Sequence, residues 1–239
     1  MKPKLVIAHL YPREMNIYGD GGNILALVKR LEWRGYEAEV RPVEVGEPFD
    51  FSQADIVFGG GGQDRGQLIV GADLLGRGDA LRKAAADGMP MLVVCGLYQL
   101  FGRAFITSDG QELPGLGIFH ATTQGAKQRL IGNIIVESPF GRLAGFENHS
   151  GATLLEPGQN PLGKVIKGHG NDAKSKHEGA ITENVIGTYL HGPILPKNPV
   201  LADHLLMTAL QRRHGITKLV ALDDTLELAA AHTAADRPQ

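Results

Sequence analysis

The chain has 239 residues, 43% of them hydrophobic and 21% charged, with a formal net charge of -2. That length suits one large α/β domain, or one domain with a tail, and the composition supports a packed core rather than a disordered chain. Near-neutral charge without a basic run argues against nucleic acid or an anionic membrane surface as the main partner.

No run of about 20 apolar residues marks a membrane span, and no apolar segment follows a basic stretch at the N-terminus. The single cysteine leaves no internal disulfide and no cysteine-rich zinc site. A soluble cytoplasmic protein is the expectation, with no metal site.

Lys4-Leu10 is a short, partly β-branched apolar run and predicts a buried strand. Gly22-Arg34 carries Ile24, Leu25, Leu27, Val28 and Leu31 at helical spacing, with Asp20 just ahead, where an anionic side chain suits a helix start. Ala38-Val43 and Asp55-Gly59 predict strands, Leu74-Ala86 a helix, and Met91-Cys95 a fully buried strand. Strands alternating with helices give βαβ units and a parallel sheet. The second half is richer in strand: Leu130-Val136, Ala152-Leu155, Lys164-Lys167 and Asn184-Leu190. A last helix is marked by Asn198 as a cap, Pro199 in its first turn, and Arg212, Arg213 and His214 before Gly215. The organisation expected is a domain over 1–215 and a C-terminal tail over 216–239 with room for one short helix.

Three segments carry chemistry. In Met91-Leu-Val-Val-Cys95-Gly-Leu-Tyr-Gln99 a buried strand ends at a cysteine and a helix-compatible run follows, the strand-turn-helix pattern of a nucleophile elbow. Such a turn projects the thiol at the carboxyl edge of a parallel sheet, and the following helix start favours a thiolate and offers N–H groups to an oxyanion. The alternative is a buried structural cysteine at a strand end. In Asp55-Ile-Val-Phe-Gly59-Gly-Gly-Gly-Gln63-Asp64 a strand runs into four glycines, whose backbone can approach a ligand closely. The alternative there is an ordinary loop needing positive φ. In Gly187-Thr-Tyr-Leu-His191-Gly-Pro193 a histidine ends an apolar strand, placed to act as a general base toward Cys95 or simply structural, as one of nine histidines. Gly158-Gln-Asn-Pro-Leu-Gly163-Lys164-Val165 imitates a phosphate loop. Val165 replaces the hydroxyl residue that would hold magnesium, and a strand follows where a helix is required. No nucleotide site remains, so an ATP-dependent step belongs to another chain.

Together these segments resemble the class I glutamine amidotransferases, and more closely the GatD family, the glutaminase subunits of lipid II isoglutaminyl synthase related to the CobB/CobQ-like domains of cobyric acid synthesis. The matching stretches run in order up to about Gly215. They are Leu10-Tyr-Pro12 with Asn16-Ile-Tyr-Gly-Asp20-Gly-Gly-Asn23, Gly60-Gly-Gly-Gln-Asp64, Cys95-Gly-Leu-Tyr-Gln99, Gly145-Phe-Glu-Asn-His-Ser-Gly151, and Tyr189-Leu-His-Gly-Pro-Ile-Leu-Pro-Lys-Asn-Pro199. The resemblance implies a flavodoxin-like fold: a mostly parallel central sheet flanked by helices, with extra strands in the second half. It makes Cys95 the nucleophile, His191 the base and later acid, and the backbone of Gly61, Gly62 and Gly96 the oxyanion donors. Arg129 is then the clamp for the glutamine α-carboxylate, Gln99 a further substrate contact, and Glu147 and His149 weaker pocket candidates.

Two positions depart from the usual class I pattern. Leu97 stands where glycine is typical, leaving Gly96 to absorb the turn, and Pro193 stands where many members carry the glutamate that orients the histidine. Asp20 and Glu183 are the substitutes the sequence offers. The resemblance further implies L-glutamine as substrate, no cofactor on this chain, and a heterodimer with a MurT-like Mur ligase subunit. That partner would bind ATP and Mg and amidate the D-glutamate of the lipid II stem near the inner membrane face, with neither nucleic-acid binding nor membrane insertion by this chain. The rivals are a glutaminase serving another acceptor, as in cobyrinate-type amidation, and a non-catalytic amidotransferase-like module that stabilises a partner.

Overall fold

The computed structural model describes residues 2–62 and 64–237. Its first sheet is built from β1 (Lys4–Leu10), β2 (Glu37–Val43), β3 (Ile56–Gly59), β4 (Met91–Val94), β11 (Ala180–Thr182) and β12 (Val185–Thr188). The order is β11-β12-β4-β3-β1-β2, parallel throughout except for the edge pair β11 and β12. The central strands are buried along their length, as their unbroken apolar runs require when helices cover both faces. The covering helices are α1 (Gly21–Glu32), α2 (Asp64–Gly76), α3 (Gly78–Ala86), α4 (Gly96–Phe101) and α5 (Pro199–His214). Helix α5 packs on α1, β1 and β3, while α4 packs on β4 and α2.

The second-half strands form a sheet of their own. β7 (Ala121–Ser138) and β8 (Gly141–Leu155) make a long antiparallel hairpin. Around it lie β5 (Ala104–Ile106), β6 (Glu112–Pro114), β9 (Gly163–Lys167) and β10 (His177–Glu178). The register of the hairpin shifts between Gly125 and Leu130, so residues 126–129 leave the ladder. Strand β12 runs toward this second sheet, and just beyond its end the backbone of His191 pairs with Phe146 of β8.

Several sequence expectations need correction. The run expected as one helix over 74–86 is the end of α2 and the whole of α3, broken at Arg77, whose side chain bonds the backbone oxygens of Glu44 and Glu47. Asn198 does not cap α5 with its side chain. It faces β8 instead, accepting from the Ala144 N–H and donating to the Ala144 and Ile194 carbonyls. The strand expected over 184–190 ends at Thr188, because Tyr189 and Leu190 turn their N–H groups to side chains, those of Glu178 and Thr188.

After Gly215, which closes α5 in the left-handed conformation, the chain runs to a further helix, α6 (Thr225–Asp236). No residue of α6 is buried. Its start is held by Asp224 on Arg30, and its end by Lys167, which donates to the Ala235 and Arg237 carbonyls. Among the described residues no helix is long and apolar enough to cross a membrane.

Candidate active site

Four adjacent parallel strands, β12, β4, β3 and β1, end at one edge of the first sheet. Ligand sites of open α/β sheets form outside this carboxyl edge, where the chain leaves the sheet. The residues that follow these strands are His191 after β12, Cys95 after β4, the glycine run after β3, and Asp20 after β1. The topology therefore collects, side by side, groups separated by up to 171 positions in the chain.

Cys95 sits at the elbow with φ 50 and ψ -104, a conformation that costs a non-glycine residue energy and persists only where the surroundings enforce it. They do so here: its N–H donates to the Thr188 carbonyl at 2.8 Å, and its carbonyl accepts from the Gln99 N–H at 3.0 Å. The elbow strain is thus carried by the cysteine itself. Gly96 does not absorb the turn, contrary to the sequence expectation, since its φ is not positive. Glycine is needed there for space: a β-carbon would lie 2.8 Å from Met15 Cε and 3.1 Å from the Gly62 nitrogen.

His191 and Asp20 are both fully buried, and Asp20 Oδ1 lies 3.1 Å from His191 Nδ1. The other ring nitrogen, Nε2, makes no hydrogen bond. Gly61 lies against both partners, because a β-carbon on it would meet His191 Cε1 at 2.8 Å and Cys95 Cβ at 3.1 Å. Burial pushes the His191 pKa down, but negative charge on Cys95 and the hydrogen bond that the ring donates to Asp20 outweigh it and raise the value to about 10. An imidazole in this setting keeps a proton at neutral pH. Glu183, the other substitute for an orienting acid, lies at the opposite end of the sheet in the exposed turn between β11 and β12.

None of Gly59, Gly60, Gly61 or Gly62 has positive φ. What removes their side chains is crowding. Beside Gly59 stands Leu97, beside Gly60 the Met15 carbonyl and Asp20, and beside Gly62 the Met15 sulfur. The departure at Leu97 is absorbed in this way: its Cδ1 would be 2.1 Å from a β-carbon on Gly59, so the two positions fill one space. Pro193 is likewise matched by Gly22, whose β-carbon would fall 2.5 Å from the proline ring. Gln63 lies outside the described residues.

The oxyanion assignment changes for one glycine. The Gly61 N–H already donates to Asp20 Oδ2 at 2.7 Å, so it is not free for a ligand. The N–H groups of Gly62 and Gly96 have no acceptor among the described residues, and Gly62 faces the cleft.

That cleft has a volume of about 720 Å³ and is walled by Ile17, Tyr18, Gly62, Gln67, Cys95, Gln99, Phe105, Arg129 and Asn148 to Gly151. Arg129 enters it from the irregular stretch of β7, with Nε on Asn148 Oδ1 at 3.0 Å. Gln99 borders the cleft, but its amide is committed on both sides, to the Tyr189 hydroxyl at 3.0 Å and to Gln67 Nε2 at 2.6 Å. These two bonds brace the wall and fix the amide's orientation. Glu147 does not line the cleft. It is buried and accepts the N–H groups of His169 and Gly170, clamping the loop after β9. His149 stacks flat on Tyr189, with centroids 3.5 Å apart, and bonds the Gly151 carbonyl through Nδ1. Burial pushes its pKa down to about 3, so it stays neutral.

Several cleft residues escaped the sequence reading, Gln67 and Phe105 among them, and two others touch His191 or Arg129. Tyr18, in left-handed conformation at φ 56, lays its ring edge-on to His191 at 5.0 Å and directs its hydroxyl toward Arg129. Asn148 anchors that arginine. Both lie inside the motif segments Asn16-Asn23 and Gly145-Gly151, which was the available signal.

A cysteine on a strained elbow, a buried histidine–carboxylate pair and free backbone donors on a flavodoxin-like sheet define a class I glutamine amidotransferase. The sequence pattern of the CobB/CobQ-like glutamine amidotransferase domain matches residues 6–199. The chain is similar to the GatD subunit of the glutamine-hydrolysing lipid II isoglutaminyl synthase of Staphylococcus aureus, with 41% identity covering 98% of this chain and 96% of that one. To the subunit of the same description from Streptococcus pneumoniae it is 39% identical, over 98% and 91% of the two chains. In fold it is similar to the structure of PurLQS from Thermotoga maritima, with a TM-score of 0.56 and 15% identity, covering 86% of this chain and 98% of that one. The chain belongs to the CobB/CobQ-like glutamine amidotransferases, and within them to the GatD family.

Proposed function

We propose that this glutamine amidotransferase hydrolyses L-glutamine as the ammonia-supplying subunit of a lipid II isoglutaminyl synthase. The observation that carries the reading is the buried Asp20–His191 pair set beside the strained Cys95 at the floor of a cleft that Arg129 enters. In the reaction, the Cys95 sulfur attacks the side-chain carbonyl carbon of glutamine. The tetrahedral oxyanion is held by the N–H groups of Gly62 and Gly96, each such donor contributing about 3–4 kcal/mol of transition-state stabilisation. His191, held by Asp20 in the tautomer that keeps a proton on Nδ1, gives its other proton to the departing ammonia. It then takes one from water, which attacks the thioester and releases glutamate. Arg129 receives the α-carboxylate with the bidentate geometry a guanidinium permits.

Ammonia released into water is protonated and lost as a nucleophile, so hydrolysis calls for an acceptor enzyme at hand. The acceptor named for the staphylococcal and pneumococcal relatives is lipid II. By that likeness the partner is a MurT-like ligase that uses ATP and Mg to activate the α-carboxyl of the stem D-glutamate, which ammonia converts to D-isoglutamine. The test is glutamate release from L-glutamine by the purified chain, alone and with the ligase subunit, beside Cys95→Ala. Release lost in the variant and stimulated by the ligase is the expected result. No release from wild type in either setting overturns the reading, and release without amidation of lipid II points to a different acceptor.

A further inference from the structure

We infer that Asp20 serves the oxyanion as well as the histidine: its second carboxylate oxygen fixes the glycine strand so that the Gly62 N–H faces the reacting carbonyl. The inference rests on the glutaminase reading above and concerns how the two halves of that machinery are held together.

The two oxygens of Asp20 do different things. Oδ1 meets His191 Nδ1, while Oδ2 accepts the Gly61 N–H at 2.7 Å. The next peptide along is fixed from the same turn, because the Gly61 carbonyl accepts the Ile17 N–H at 3.1 Å. A trans peptide is planar, with its N–H pointing opposite to its C=O. Holding the Gly61 carbonyl toward Ile17 therefore turns the Gly62 N–H the other way. On that side lies the elbow: the Gly62 nitrogen is 3.1 Å from the position a β-carbon on Gly96 would take.

A run of glycines needs such a clamp more than any other sequence, since glycine loses the most conformational freedom on being fixed. Met15, Asp20 and His191 leave no room for side chains that would stiffen it from within. One buried carboxylate thus sets the position of the base relative to an oxyanion donor. Asp20 is a positioning residue twice over.

Asparagine and alanine separate the two roles. Asp20→Asn keeps an oxygen for the Gly61 N–H but presents its NH₂ to His191 Nδ1, forcing the ring proton onto Nε2. Asp20→Ala loses both contacts. Two rates are measured for each variant, with the ligase subunit present. One is alkylation of Cys95 by iodoacetamide, which develops no oxyanion, and the other is glutamine hydrolysis, which does. Relative to its own alkylation rate, Asp20→Ala should hydrolyse glutamine about 100-fold more slowly than Asp20→Asn does, the cost of a misplaced oxyanion donor. An equal ratio of hydrolysis to alkylation in both variants overturns the inference.

Amide hydrogen exchange in the wild type provides a test independent of whether the variants fold. The Gly61 amide should exchange only on global opening, and fast exchange in the folded protein overturns the inference. Absence of glutamine hydrolysis by wild type would sink the functional reading alone, because hydrogen exchange at Gly61 still judges the clamp.

Discussion

His191 is the residue on which the electrostatics of the site converge. Its raised pKa means that the folded state binds a proton the unfolded chain has released, so the contribution to stability is full below about 6.5 and fades as pH rises toward about 10. The expected NMR titration of the His191 ring shows no step near 6.5, and Cys95→Ala lowers its midpoint by removing the facing charge. A midpoint that stays put in Cys95→Ala would show that the thiol does not set it. At this scale the sequence was partly legible. Cys95 and His191 stood out because each ends an apolar strand, a pattern visible in a few consecutive residues. That Asp20 rather than Glu183 lies against His191 was not legible, since the choice depends on which sheet edge each residue occupies. The saturation of Gly61 by Asp20 was equally hidden, being a contact across 41 positions.

The end of β12 illustrates what an element needs when its ladder runs out. Glu178, on the two-residue strand β10, is fully buried and accepts the Thr188 hydroxyl and the Tyr189 N–H, each at 2.7 Å. Burial pushes its pKa up to about 7, beyond what its hydrogen bonds offset. The folded state then holds the carboxyl proton up to about 7, whereas the unfolded chain releases it near 4.5, so this term weakens folding as pH rises between those values. Glu178→Gln should remove that slope in pH-dependent denaturation, while Glu178→Leu, which takes the acceptor from the Thr188 hydroxyl and the Tyr189 N–H, should cost about 3 kcal/mol at the acid end of that range and less above it. An unchanged slope in Glu178→Gln would assign it to another group. The strand β10 was invisible in the sequence for the same reason that it matters: two residues carry no periodicity. The long strands of the β7–β8 hairpin were seen only in fragments, because Gly125, Gly132, Gly145 and Gly151 interrupt the pattern. The parallel strands β1, β3 and β4, as short and mostly apolar runs, were read to within a residue.

Across the whole molecule, the C-terminal segment is tied to the main body by ion pairs and by Ile216 and Leu219, which pack half-buried against the core. Arg30, only 3% exposed, grips Asp203 with two nitrogens and Asp224 with two contacts, and Arg34 adds bonds to Asp203 and the Val220 carbonyl. Asp224→Ala should leave the melting of the two sheets within about 1 kcal/mol of wild type, since it removes a partly exposed partner. It should nevertheless open residues 216–224 to limited proteolysis. Arg30→Ala takes the arginine from Asp224, leaves Asp203 with Arg34 alone and empties a buried site, so it should destabilise the protein more than Asp224→Ala does. Equal proteolytic resistance in Asp224→Ala and wild type would mean that the Arg30–Asp224 pair does not hold the segment. The Asp- and Ala-rich composition after Gly215 gave room for a short helix there but no sign of these anchors, Arg30, Arg34 and Lys167, which lie far back in the chain.

The four residues Asp20, Gly21, Gly22 and Asn23 each have a fixed partner. Asp20 holds His191 and Gly61, the Gly21 N–H donates to Asn16, Gly22 lies beneath Pro193, and Asn23 accepts from the Leu195 N–H. Loss or gain of a single codon in this stretch would slide every one of these residues off its partner while leaving a helix that still forms. The segment can exchange letters only narrowly and cannot change length at all.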